Sequence, residues 1–169
     1  MTKPPLAQQP QSARFHANSL GIGEIGAGRE SGQLRTFVGS CVGLALYDRR
    51  KRIASLAHIM LPDSKGAGEP VGKYADTAIP EMLKRLESLA NGEPLRLSAK
   101  MAGGAKMFAF QSGLTIGDQN VAAIEAILGR LGIPLLAREC GGERGRRLSF
   151  DIATTDLTIE TLGMPHTTL

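Results

Sequence analysis

The sequence predicts an α+β domain, with a layered core of mixed or antiparallel β-sheet and two main helices packed outside it. Short apolar stretches separated by turns follow one another over residues 34–60 and again over 134–162, as is typical of strands. Two longer segments carry apolar residues at spacings of three and four, the pattern of helices that lie on a sheet. Because the strands come in runs, a regular βαβ winding is not expected.

The first run contains three strands, over residues 34–38, 42–47 and 53–60. A charged turn at 48–52 joins the second strand to the third, so we expect these two to form a hairpin. Cys41 lies at the break before the second strand. Gly39 and Gly43 flank it, and glycines there permit a bulge or a close approach of a substrate backbone.

The middle of the chain holds a loop and both helices. Residues 62–73 are rich in glycine, proline and polar residues, so they predict a loop long enough to cover a site. A helix is predicted over 74–90, beginning nearer Pro80 or kinking there. A strand over 95–101 follows, and Asp118 is a good cap for a second helix that ends at Leu131. The remaining strands are predicted over 134–140, 146–151 and 157–162.

Composition indicates one domain of ordinary size. Hydrophobic residues make up 42% of the chain and charged residues 21%, close to the average of globular proteins. We expect a flexible tail over residues 1–17, a single catalytic domain over 18–162 and a second tail over 163–169. The sequence contains neither an apolar run long enough to span a bilayer nor a secretory signal, so we expect a cytoplasmic protein without membrane insertion.

Charge and cysteine spacing argue against three kinds of site. The formal charge is +4, and the basic residues cluster at 49–52 and 144–147 without interleaved aromatic residues. This arrangement favours solvated turns over nucleic-acid binding. The two cysteines, Cys41 and Cys140, are far apart, so neither a redox pair nor a thiolate metal site is predicted. Cys140, before a glycine pair, is interpreted as a packed residue at a strand end.

Cys41 and His58 form the candidate catalytic pair. The two other histidines, His16 and His166, lie in the predicted tails, whereas His58 stands in the strand that should pair with the one leaving Cys41. A thiol with a pKa of about 8.5 is mostly protonated at neutral pH, and a nearby imidazolium would lower that pKa. The imidazole could then protonate a departing amine, while backbone N–H groups near Cys41 stabilise the oxyanion.

Composition alone leaves another interpretation open. Cys41 can be a small buried hydrophobe and His58 a hydrogen-bonded core histidine. Asn120, in the first turn of the second predicted helix, is interpreted as a local hydrogen-bonding residue, with substrate positioning as the alternative.

A series of motifs in register distinguishes between these interpretations, and their order along the chain resembles the chemoreceptor glutamine deamidase family, CheD. The resemblance covers roughly residues 20–160. It rests on Gly21-Ile22-Gly23-Glu24, Gly39-Ser40-Cys41-Val42, Leu46-Tyr47-Asp48, Ala57-His58-Ile59-Met60-Leu61-Pro62, Gly72-Lys73-Tyr74-Ala75-Asp76-Thr77-Ala78, Ala102-Gly103-Gly104-Ala105-Lys106-Met107-Phe108, Ile116-Gly117-Asp118-Gln119-Asn120-Val121, Gly141-Gly142 and Arg144-Gly145-Arg146-Arg147.

The resemblance implies a cysteine hydrolase that converts selected glutamine side chains of methyl-accepting chemotaxis receptors to glutamate. It implies a thioester on Cys41, His58 as base, no metal or organic cofactor, a CheC-type chemotaxis phosphatase as partner, and a fold like the catalytic domain of the cytotoxic necrotizing factor toxins. The third catalytic residue implied is Thr36. Its odd offset from Cys41 places it on the opposite face of a regular strand, so a bulge at Gly39 would be needed to bring it into the site.

Two other functions are compatible with the same motifs. One is a binding module that regulates a CheC-type phosphatase, with a secondary active site. The other is a receptor glutamyl methylesterase, because the same thiolate attack on an acyl carbon would cleave an ester.

Overall fold

The structure, a computed structural model, describes residues 19–107 and 113–169. The predicted tail over 1–17, with His16, lies outside these residues. The strands are β1 (Ser19–Leu20), β2 (Ile25–Arg29), β3 (Gln33–Val38), β4 (Val42–Asp48), β5 (Ile53–Ile59), β6 (Ser98–Gly103), β7 (Leu135–Cys140), β8 (Arg146–Asp151), β9 (Leu157–Thr161) and β10 (Thr167–Thr168). The helices are α1 (Ala75–Leu89) and α2 (Ile116–Leu131), with a short 3₁₀ turn at Val71–Lys73.

The strands form two five-stranded sheets. The first sheet has the order β1-β3-β8-β9-β10, and the second has the order β2-β5-β4-β6-β7. The β1–β3 and β6–β7 pairs are parallel, and the other pairs are antiparallel. The α+β fold with a mixed sheet core and two outer helices is therefore confirmed.

Three layers result from this arrangement. One apolar cluster lies between the two sheets and includes Leu56, Leu148 and Phe150. A second cluster lies between the second sheet and the two helices and includes Leu44 and Met82. The second sheet is thus covered on both faces, and for this reason every residue of β4 and β5 is buried.

Side-chain alternation in β4 and β5 decides which residues meet the first sheet. Leu44 and Ala57 face the helices, whereas Ala45 and Leu56 face the first sheet. His58 lies two residues beyond Leu56, so strand alternation directs its side chain toward the first sheet.

Several element boundaries differ from the sequence prediction. Helix α1 begins at Ala75 and runs through Pro80, which lies at an exposed position of the helix. The N-cap of α2 is Thr115: its hydroxyl accepts from the Asp118 N–H, and the Asp118 carboxylate accepts from the Thr115 N–H, which makes a capping box. Asp118 is therefore the third residue of the helix and not its cap.

Strand β6 begins later than predicted because its partner β4 ends at Asp48. The Asp48 carboxylate accepts from the Arg96 N–H at 2.8 Å, which draws that backbone out of the ladder. The segment after Gly163, predicted as a tail, contains β10, which pairs with β9. The Lys100 ammonium holds the end of this segment in place by donating to the carbonyls of Thr155 and Leu169.

Within the described part of the chain, neither α1 nor α2 is long and apolar enough to cross a membrane.

Candidate active site

Cys41, His58 and Thr36 converge at one edge of the interface between the sheets. Cys41 precedes β4 by one residue, and the antiparallel pairing of β4 with β5 sets Gly43 opposite His58. The predicted hairpin is therefore confirmed. Thr36 comes from β3 in the other sheet, and its hydroxyl lies 2.8 Å from Nδ1 of His58.

Thr36 reaches the site because the chain changes sheets between it and Cys41. The pairing of β3 with β8 keeps a continuous register from Gln33 to Val38, so the bulge expected at Gly39 is not what brings Thr36 inward. The chain instead leaves the first sheet after Val38 and enters the second at Val42, and the parity of a single strand does not carry across this turn. Thr36 is fully buried between the sheets.

Gly43 allows the two sheets to approach at this point. A Cβ placed on Gly43 would lie 2.3 Å from Cδ1 of Leu148 and 3.3 Å from Cγ2 of Thr36. Since Gly43 is also the ladder partner of His58, its missing side chain leaves the space in which Thr36 and the imidazole meet.

The hydrogen bonds of Thr36 fix the tautomer of His58. The Thr36 hydroxyl donates to the Leu20 carbonyl at 2.8 Å, because a carbonyl can only accept. With its proton used there, the hydroxyl oxygen accepts from Nδ1–H of His58. Nε2 then carries the free lone pair and is the ring nitrogen able to act as a base. Leu20 could not be identified from the sequence, because the group that it contributes is a backbone carbonyl, which every residue type has.

An open cleft of about 530 Å³ lies over these residues. It is lined by Ser19, Leu20, Gly21, Ile22, Phe37, Gly39, Ser40, Cys41, His58 and Met107. The loop over residues 62–73, predicted as a possible cover, contributes none of them. Cys41 and His58 are nearly buried at its floor, with 8% and 4% of their surfaces exposed.

Burial favours the neutral forms of both groups. It raises the pKa of the Cys41 thiol, although the N–H of Cys41 itself acts in the opposite direction. Burial lowers the pKa of the His58 imidazole, partly offset by the Leu20 carbonyl and the Glu24 carboxylate. Burial therefore favours a thiol and a neutral imidazole over the thiolate–imidazolium pair considered from the sequence.

The carbonyls of the turn that carries Cys41 are all bonded from outside the cleft. The Gly39 carbonyl accepts from the Ala105 N–H and the Cys41 carbonyl from the Gly104 N–H, each at 2.8 Å. The Ser40 carbonyl accepts from Nδ2 of Asn120 at 3.3 Å. In a trans peptide the N–H points opposite to the carbonyl, so the N–H groups of Ser40 and Cys41 turn toward the cleft.

These two N–H groups are the candidate oxyanion hole. Over the described ranges, 19–107 and 113–169, the structure records no acceptor oxygen for either of them. The effect of the Cys41 N–H on its own thiol places that donor beside the sulfur. We interpret both groups as candidate donors to an oxygen that develops negative charge next to the sulfur.

Asn120 was interpreted as a local hydrogen-bonding residue, and this was wrong. It is fully buried, and its amide reaches two distant carbonyls, those of Ser40 and Met60. Cys140 ends β7 and is packed against the helix-side cluster, as predicted. Burial raises its pKa to about 11, so it is a poor nucleophile at neutral pH.

Comparison with known proteins identifies one family, both from a family model and from individual relatives. A family model described as CheD chemotactic sensory transduction matches residues 60–161. A probable chemoreceptor glutamine deamidase CheD from Desulforamulus reducens is 45% identical over 156 residues, which cover 86% of this chain and 91% of that protein. The chain belongs to the CheD family.

Two further members of the CheD family are similarly related. The chemoreceptor glutamine deamidase CheD of Halalkalibacterium halodurans is 46% identical over 131 residues, 74% of this chain and 80% of that protein. That of Thermotoga maritima is 39% identical over 145 residues, 85% of this chain and 91% of that protein. The family model begins after Thr36, Cys41 and His58, so the roles of these three depend on the geometry of the site.

Proposed function

We propose that this chain is a chemoreceptor glutamine deamidase that hydrolyses receptor glutamine side chains to glutamate with Cys41 as nucleophile, His58 as base and Thr36 as the residue that orients the base. The observation that carries the proposal is the hydrogen-bonded series from the Leu20 carbonyl through Thr36 to His58, which lines the same cleft as Cys41. The CheD relatives, named as chemoreceptor glutamine deamidases, support the substrate.

The first half of the reaction is acyl transfer to the enzyme. Nε2 of neutral His58 takes the thiol proton as Sγ of Cys41 bonds to the carbon of the glutamine amide. The carbonyl oxygen becomes an oxyanion held by the N–H groups of Ser40 and Cys41. The C–N bond then breaks, and the imidazolium gives its proton to the departing ammonia. A thioester on Cys41 remains.

The second half returns the enzyme to its starting state. Nε2 of His58 removes a proton from a water molecule that attacks the thioester carbon, the C–S bond breaks, and the proton is returned to the sulfur. The products are a glutamate side chain and ammonia. Thr36 accepts from Nδ1–H throughout, so that Nε2 stays aimed at the reacting atoms.

The mouth of the cleft suits a protein substrate. Ile22, Phe37 and Met107 line it and are 54%, 51% and 47% exposed. Large apolar side chains exposed together around a reactive cleft are typical of a surface that contacts another protein. The buried floor then admits one side chain of that partner.

The location and the second partner follow from the same proposal. We expect the enzyme to act in the cytoplasm on the signalling region of its receptors. We also propose a CheC-type phosphatase as partner, because CheD-like motifs run through the chain in register.

Peptide mass spectrometry tests the deamidase proposal. The purified protein is incubated with cytoplasmic fragments of chemoreceptors, and glutamine-to-glutamate conversions are mapped. Conversion at selected glutamines is expected from the wild type and from Cys140→Ser, and not from Cys41→Ala. The two variants each remove one of the free cysteines, so Cys140→Ser is the matched control. Conversion by Cys41→Ala, or none by the wild type, would contradict the proposal.

A further inference from the structure

Asn120 joins the two chain segments that carry the nucleophile and the base. It lies in the second turn of α2 and is fully buried. One N–H of its amide donates to the Ser40 carbonyl at 3.3 Å, and the other donates to the Met60 carbonyl at 2.8 Å. Ser40 directly precedes Cys41, and Met60 follows His58 by two residues.

Both donors of the Asn120 amide are needed for this bridge. Lysine and arginine would bring a charge into a buried place, and a hydroxyl has only one proton to donate. The amide oxygen, Oδ1, is buried and has no hydrogen-bond partner within the part of the chain that the structure describes. A buried polar atom without a partner opposes folding, so packing alone would favour an apolar side chain here.

The bond to Ser40 bears directly on the oxyanion hole. The Ser40 carbonyl and the Cys41 N–H belong to one peptide group and point in opposite directions. By holding the carbonyl toward α2, Asn120 holds the N–H toward the cleft. The neighbouring peptides are held by backbone donors from Gly104 and Ala105, whereas this one depends on a side chain.

We propose that Asn120 is a positioning residue for the deamidation reaction: it orients the Ser40–Cys41 peptide so that the Cys41 N–H can stabilise the oxyanion, and it fixes the nucleophile turn against the end of β5. This inference rests on the proposed function. Asn120 touches neither the cleft nor the reacting atoms, and it acts through Ser40 and Met60.

The test separates acyl chemistry from thiol reactivity. Attack on an amide develops an oxyanion, whereas alkylation of Cys41 by iodoacetamide occurs at a saturated carbon and develops none. Asn120→Ala is expected to lower kcat for receptor deamidation by roughly 10- to 10²-fold. The KM should stay within about twofold because the cleft remains, and the rate of Cys41 alkylation at the same pH should fall less than kcat because alkylation develops no oxyanion.

A second variant and a control complete the design. Asn120→Asp keeps the shape but replaces both donors by acceptors, so its kcat should fall at least as far. Gln119→Glu makes the same chemical change at the exposed neighbour on α2 and should keep wild-type kcat. Circular dichroism identifies any variant that fails to fold. If Asn120→Asp does not fold, the kcat of Asn120→Ala tests the inference.

Three outcomes overturn different statements. If Asn120→Ala keeps wild-type kcat, the inference is wrong. If its alkylation rate falls as far as its kcat, Asn120 supports the general structure and not the oxyanion hole, and the inference is again wrong. If the wild type and Gln119→Glu both leave receptor glutamines unchanged, the proposed function itself fails.

Discussion

Thr36 and His58 belong to different sheets, and the hydrogen bond between them sets which imidazole nitrogen is free. The Leu20 carbonyl requires the Thr36 proton, so Thr36 accepts from Nδ1–H of His58. The 3.5 Å separation of Nδ1 from the same carbonyl is too long to replace that bond fully. Removing the Thr36 hydroxyl should therefore leave the His58 ring less firmly oriented, although the imidazole itself remains.

Thr36→Val should lower kcat by roughly 10- to 10²-fold, in the range seen when a group that orients a catalytic side chain is lost. The KM should change little, because Thr36 is buried and lies outside the cleft lining. Steady-state deamidation kinetics would measure both. The buried Nδ1–H loses its short partner, so the free energy of unfolding should fall by about 1–3 kcal/mol.

Thr36→Ser is the control for this prediction, since it keeps the hydroxyl and removes only a methyl group. It should recover most of the kcat lost in Thr36→Val. If serine and valine at residue 36 lower kcat equally, packing and not the hydrogen bond would explain the loss.

Cys41 and His58 could be paired from the sequence because a hairpin is a local structure. Two strands joined by a short charged turn must lie side by side, so a residue in one strand has a calculable neighbour in the other. Thr36 could not be placed in this way. Its position depends on the change of sheet between Val38 and Val42, and strand periodicity describes only residues within one strand.

At the scale of elements, the end of β6 supports the turn that carries Cys41. Gly103 and Gly104 both have positive φ, and the Gly104 N–H donates to the Cys41 carbonyl. A Cβ on Gly103 would lie 2.3 Å from that carbonyl oxygen and 2.9 Å from Cγ2 of Val38. The contact is with backbone, so the turn itself would have to move.

Gly103→Ala should therefore impair both stability and activity. We expect the free energy of unfolding, from urea denaturation, to fall by about 2–4 kcal/mol, and deamidation to be largely lost. Gly113→Ala is the matched control: its φ of 103° is close to the 121° of Gly103, but an added Cβ would meet no atom within 4 Å among residues 19–107 and 113–169. It should show only the conformational cost of about 1 kcal/mol. Equal effects at the two positions would rule out displacement of the turn.

The helices show where element prediction from sequence succeeds and where it fails. The apolar spacing of α1 and α2 located both, because this pattern reflects packing against one face of a sheet. Their starts were misplaced because Pro80 is tolerated on the exposed side of α1, and because Asp118 is as suitable for the third position of a capping box as for the cap itself.

The layered α+β core of the whole molecule was predicted from the sequence, but the division of its strands into two sheets was not. Strands β4 and β5 gave a clear apolar signal because both faces of the second sheet are covered. Which strands belong to which sheet depends on contacts between distant segments, such as the parallel pairing of β1 with β3. The short strands β1 and β10 have too few residues to show any periodicity.

Burial of His58 between the layers makes the stability of the whole molecule depend on pH. In the unfolded chain the imidazole has an ordinary pKa of about 6.5, whereas burial lowers its pKa in the folded protein. As the pH falls through about 6.5, the imidazole binds a proton in the unfolded state but not in the folded state, so the free energy of unfolding decreases. Above neutrality both states hold a neutral ring, and this stability is fully present.

Urea denaturation between about pH 7.5 and pH 5 should show this loss, and His58→Gln should reduce it. If His58→Gln keeps the full slope, folding does not lower the pKa of the imidazole, and burial is not what keeps the base neutral.

The central claim is that receptor glutamines form a thioester with Cys41, and acid quenching of the reaction tests it most directly. Wild-type protein is mixed with a receptor cytoplasmic fragment, quenched in acid during turnover, digested and examined by mass spectrometry for a cross-linked peptide that releases on treatment with hydroxylamine. We predict one adduct, joining a receptor glutamine position to the peptide that contains Cys41, present in Cys140→Ser and absent in Cys41→Ala. An adduct on Cys140, or full deamidation by Cys41→Ala, would contradict the account.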